Sequence, residues 1–120
     1  MSEEKSDGEL LGAFAKEARQ RCDMISAGLD TGTTDFEALR QEAHALHGTA
    51  SSLGLRRLGE LAGLMESDLS EAADAGELRP NRASQISEAA EALAAGVQAR
   101  ADEEEEPPDV GRSLAQLFAI

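Results

Sequence analysis

Both histidines of the chain fall in one short run, Ala43-His44-Ala45-Leu46-His47-Gly48, three residues apart. A neutral imidazole keeps a free lone pair near pH 7, so it can serve as nucleophile, proton carrier or metal ligand. Three roles are open to this pair. His44 acts as a nucleophile; or His44 and His47 bind a metal with Glu60 or Glu66; or both are incidental surface residues of a plain interaction module. Two histidines and an uncertain carboxylate make a poor metal cage. Cys22 is the single cysteine, so neither a disulfide within the chain nor a cysteine zinc cage or redox pair can form.

The elements that must position these residues are read from apolar spacing. Leu11, Phe14, Ala18, Cys22, Ile25 and Leu29 recur every three or four residues, the stripe of an amphipathic helix. Ser6-Asp7-Gly8-Glu9 has the spacing of a capping box before it, and Asp30-Thr31-Gly32-Thr33 breaks it. Thr34-Asp35-Phe36-Glu37 reads as a second capping box, followed by the seam Phe36, Leu39, Ala43, Leu46, Ala50 and Leu53. Gly54 sits where a left-handed residue would close that helix. A third seam begins at once with Leu55, Leu58, Leu61, Ala62, Met65, Leu69 and Ala72; so short a connection requires the two helices to lie side by side and antiparallel. Gly59 and Gly63 inside this helix are read as allowing close helix–helix approach. A fourth seam, Ile86, Ala90, Leu93 and Val97, lies between Ser84 and about Arg100.

These patterns predict an all-α fold, an up-down antiparallel four-helix bundle over residues 1–102. Residues 103–120 are expected to be an acidic linker and an apolar C-terminal tail, with Leu114, Leu117 and Phe118 on one face of a short helix that docks on its own domain or on a neighbour. Within the second helix, Arg40, His44, His47 and Ser51 form a stripe displaced by one residue, about 100°, from the buried seam. His44 is therefore exposed or half-exposed. Gly48 has no capping duty in mid-helix and costs helix stability; beside an exposed histidine, it makes room for a second protein.

Acidic residues outnumber basic ones by 24 to 11, for a net charge of −13. Nucleic acids and anionic membrane surfaces need basic stripes, so neither is an expected partner. The partner instead is basic or reads a local patch, since charge is screened beyond about 8–10 Å at physiological salt. The polar start Met1-Ser2-Glu3-Glu4-Lys5 does not read as a signal peptide, and no apolar run approaches the roughly 18 residues of a membrane span. A cytoplasmic protein is expected.

His44-Ala45-Leu46-His47-Gly48, then Leu53-Gly54, Leu58, Leu61 and Met65-Glu66, resembles the histidine-containing phosphotransfer (HPt) domain family, whose motif is His-x-Leu-Lys-Gly, then Leu-Gly, then spaced leucines. The likeness spans about Glu37 to Leu69. It implies that His44 is the phosphorylated residue of a phosphorelay, taking a phosphoryl group from an aspartyl phosphate on a response-regulator receiver domain and passing it on. It implies a carrier without turnover of its own, with receivers and/or a sensor histidine kinase as partners. It implies no cofactor on this chain, the receiver bringing the aspartate, the Mg²⁺ and a lysine. The chemistry agrees, because imidazole attacks phosphorus without a separate base and transfer rests on positioning and charge neutralisation. A phosphotransfer domain of a chemotaxis-type histidine kinase is the alternative; the chain has no Gly-rich phosphate loop, which favours a stand-alone intermediate.

One position departs from the motif. His47 stands where the family has lysine, replacing a permanent cation with a group only partly protonated near neutrality. Arg40, Ser51, Arg56 and Arg57 are expected to contact the partner, the arginines as a basic rim that steers an acidic receiver site. Leu11 and Phe14 are candidates for an apolar docking patch, competing with a place in the core.

Overall fold

The corner after the second seam shows how closely the backbone follows these patterns. Gly54 has φ +75°, its N–H donates to the Ser51 carbonyl at 3.1 Å, and Leu55 N–H donates to the Ala50 carbonyl at 2.9 Å. That bond pair satisfies carbonyls left over at a helix end and turns the chain back within three residues. The computed structural model describes residues 7–30 and 35–119. They form five α-helices and no strand: α1 (Asp7–Leu29), α2 (Phe36–Ser52), α3 (Arg56–Ala75), α4 (Arg82–Ala101) and α5 (Pro108–Phe118).

The predicted seams are the core. Ala18, Ile25, Ala43, Leu46, Leu61, Met65, Leu69, Ile86, Leu93 and Val97 are fully buried. Phe14 is buried with them and Leu11 packs partly against them, so α1 offers no docking patch from this pair. α2 lies against α3, and α1 against α4. Across α2 and α3, His44 meets Glu66, His47 meets Gly63 and Ser51 meets Gly59, pairs lying eleven, eight and four residues on either side of Leu55. The two helices therefore run in opposite directions about that corner. Gly59 makes the approach possible: a Cβ there would lie 3.1 Å from Ser51 Oγ.

Several boundaries differ from the sequence expectation. α2 is capped by Asp35, whose carboxylate accepts from Ala38 N–H at 3.1 Å, rather than by a box centred on Thr34. Thr34 lies outside the described residues, as does Ser6 of the first proposed box. α4 starts at Arg82, two residues before Ser84. The acidic run is exposed, but Glu103 takes φ +57° and Glu104 N–H donates to the Ala99 carbonyl at 2.7 Å, the same closing turn as at Gly54. Pro108 then occupies the first turn of α5, where its missing N–H costs nothing.

The tail expected after residue 102 is thus a fifth helix laid on α3 and α4. Val110 and Leu117 enter the core and Leu114 packs at its edge, whereas Phe118 points out with 76% of its surface exposed. Phe118 follows Leu117 by one residue, or about 100°, and so leaves the docked face. Its end is held by Arg82, itself buried, which donates to the carbonyls of Gln116 and Ala119 at 3.2 Å and pairs with Asp68 at 3.4 Å. Burial pushes the Asp68 carboxyl above its ordinary range, against the opposite pull of Arg82 and Arg79. No described helix is long and apolar enough to cross a membrane.

Candidate functional site

The helical period puts Arg40, His44, His47 and Ser51 on the flank of α2 that faces α3, and one carboxylate of α3 gathers three of them. Glu66 Oε2 lies 2.8 Å from His44 Nδ1, and Glu66 Oε1 lies 3.1 Å from His47 Nδ1. Arg40 Nη1 is 3.5 Å from Glu66 Oε2, while the rest of its guanidinium grips Glu37 through bonds of 2.8 and 2.7 Å. Burial pushes the Glu66 carboxyl up, but the two imidazole hydrogen bonds outweigh it and hold the group below the usual glutamate range. An ionised carboxylate can only accept, so each imidazole donates from Nδ1 and, when neutral, keeps its lone pair on Nε2.

The two rings are not equivalent. The His44 side chain is 67% exposed and that of His47 44%. His47 rests on α3, where a Cβ at Gly63 would lie 3.4 Å from its Cε1 and Nε2. His44 turns Nδ1 toward Glu66, which leaves the Nε2 edge of its exposed ring facing away from that carboxylate. Gly48, one turn further on, is exposed, and a Cβ built there meets nothing within 4 Å. Packing inside the chain gives no reason for glycine at 48.

Ser51 is exposed and sits over Gly59. Arg56 and Arg57 stand apart from this group. Arg57 is nine residues before Glu66, half a turn around α3 and about 13 Å along it. Its guanidinium binds Glu106 at 2.9 Å. With Arg56, Gly96, Arg100 and Glu106 it lines a groove of about 330 Å³ between α3, α4 and the turn before α5. Among the described residues, no group of three or more His, Cys, Asp or Glu is placed to hold a metal ion. Cys22 is buried, which pushes its thiol up to about 12.

Compared with known families, residues 9–96 match the model of the Hpt domain. The chain belongs to the Hpt domain family. That span runs from the first turn of α1 through most of α4 and includes the whole histidine cluster. Membership ties the protein to two-component phosphotransfer, in which Hpt domains interact with kinases and receiver domains. Among curated proteins, none matches the chain.

Glu66 is the residue whose role the sequence reading missed. Its signal was present in the corner: once Gly54 and Leu55 fix the turn, residues equally distant from Leu55 face each other, which sets Glu66 opposite His44.

Proposed function

We propose that this Hpt domain relays a phosphoryl group between aspartates of response-regulator receiver domains through phospho-His44. The observation that carries the reading is an exposed imidazole whose Nδ1 lies 2.8 Å from the carboxylate oxygen Glu66 Oε2, so that the neutral ring donates there and carries its lone pair on Nε2. The Nε2 lone pair attacks the phosphorus of an aspartyl phosphate. An N–P bond forms, the O–P bond breaks, and its electron pair returns to the aspartate carboxylate. Positive charge that develops on the ring is offset by Glu66, which is already in place and needs no rearrangement. Onward transfer to a second aspartate is the reverse sequence.

Under this proposal the donor's aspartate and Mg²⁺ belong to the partner receiver, and the chain binds no cofactor of its own. It is a cytoplasmic carrier whose chemistry runs only in complex with a receiver or a sensor histidine kinase. The first four helices act as an up-down antiparallel frame, with Gly48 giving the partner clearance and Arg40 and Ser51 touching it beside His44. Arg56, at the start of α3, joins that contact, and Arg57 does so only on release from Glu106.

The test is a transfer panel with radiolabelled phospho-receivers and autophosphorylated kinases. Label should pass to the intact chain from at least one donor and onward to a second receiver, and His44→Gln should accept none while keeping its helical circular dichroism. Transfer to the variant at the parent rate would refute the assignment.

A further inference from the structure

One member of the histidine cluster departs from the family motif. His47 stands where a lysine is expected, yet its Nδ1 is spent on Glu66 Oε1 at 3.1 Å. Its ring lies against Gly63, with Nε2 3.4 Å from where a Cβ would stand. A cation serving a phosphoryl group on His44 would have to reach past that carboxylate into solvent. Glu66 meanwhile has one oxygen for each imidazole, and the two hydrogen bonds together fix the plane of its carboxylate. With a single partner, a carboxylate on a flexible glutamate stem can swing about that one contact, and Arg40 at 3.5 Å stands ready to draw it toward α2.

We propose that His47 is a positioning residue that acts on His44 through Glu66, its Nδ1–H holding the carboxylate so that Oε2 stays on His44 Nδ1. What the position needs is a neutral hydrogen-bond donor, not a positive charge. The inference rests on His44 being the phosphoacceptor, and it adds a division of labour within the pair: one imidazole reacts, the other keeps the orienting carboxylate in register. Gly63 is part of the device, because a large side chain there would lift the His47 ring off α3.

Asparagine and lysine separate the two possible roles. The amide N–H₂ of Asn stands close to where Nδ1–H of His stood, so His47→Asn keeps the donor; His47→Lys supplies charge without that geometry; His47→Leu supplies neither. Two readouts apply to each full-length variant: ¹⁵N chemical shifts of the His44 ring, which report its tautomer, and the rate of phosphotransfer to His44. The parent and His47→Asn should hold His44 in the Nδ1–H form and transfer at similar rates. His47→Leu should show mixed tautomers and a rate lower by about tenfold, the loss expected for one hydrogen bond to a charged group. In a Glu66→Gln background, His47→Leu should add no further loss.

The proposal is overturned if His47→Leu leaves the His44 tautomer unchanged. It is equally overturned if His47→Lys matches or exceeds the parent rate while His47→Asn falls to the level of His47→Leu, since that ordering marks a cation. If no donor phosphorylates the parent at His44, the relay reading fails, while the tautomer measurement on unphosphorylated protein still decides whether His47 holds Glu66.

Discussion

A histidine on a helix is common, and what distinguishes His44 is the group behind it. Glu66 fixes which nitrogen carries the proton and which faces solvent. Glu66→Gln replaces a carboxylate by an amide that can still accept but carries no charge. Transfer to His44 should slow by about 10- to 100-fold, the loss seen when a carboxylate orienting a metal-bound imidazole is removed, with single-turnover kinetics as the check. Gly48 makes a complementary case. Its missing Cβ serves nothing inside the chain, so Gly48→Ala should raise stability by about 1 kcal/mol through helix propensity. The same substitution should slow transfer if the bare backbone is there for the partner. Higher thermal stability with an unchanged rate would take Gly48 out of the interface.

At the scale of the elements, the four long seams were legible because a 3.6-residue period leaves little choice of buried face. Every predicted seam residue of α4, Ile86, Ala90, Leu93 and Val97, is fully buried. Phe118 was misread because hydrophobicity alone cannot say which side of an eleven-residue helix docks; the choice fell to Val110, Leu114 and Leu117. Glu66 was legible only as a possible metal ligand near the two histidines, since its bond to His44 depends on the register of two helices and not on its own helix. Arg57 was read as part of a rim around His44, but half a helical turn carries it to Glu106. The seating of α5 has its own test. A Cβ on Gly96 would lie 2.6 Å from Leu58 Cδ2 and 3.1 Å from Val110 Cγ2. Gly96→Ala should therefore destabilise by about 1–2 kcal/mol, overpacking exceeding the gain in propensity. Hydrogen exchange should rise first in α5. A variant that melts at or above the parent temperature would show that the contact relaxes freely.

For the molecule as a whole, a net charge of −13 makes acid the informative variable. Glu66 is held below the ordinary glutamate range in the folded state, so the unfolded chain takes up its proton first as the pH falls. Its contribution is complete above the unfolded glutamate range and is lost as the pH drops through the folded value. Asp68 has the opposite sign: burial raises it, the folded state takes up the proton first, and acid relieves its cost. Urea denaturation across pH 3 to 7 should show a shallower acid loss for Glu66→Gln and a steeper one for Asp68→Asn. Two variants moving in the same direction would contradict this assignment of signs. The charge also bears on recognition: under the relay proposal an acidic protein meeting an acidic receiver site must rely on local basic groups, and Arg40 is the arginine that lies against the histidine cluster, 3.5 Å from Glu66.

In the proposed mechanism His44 reacts through Nε2 because Glu66 holds Nδ1. This is tested most directly by phosphorylating the intact chain with a phospho-receiver and reading the product by ³¹P and ¹⁵N NMR. One phosphohistidine is expected, at Nε2 of His44, with no phosphoryl group on His47. Phosphorus on Nδ1 of His44, or on His47, would contradict it.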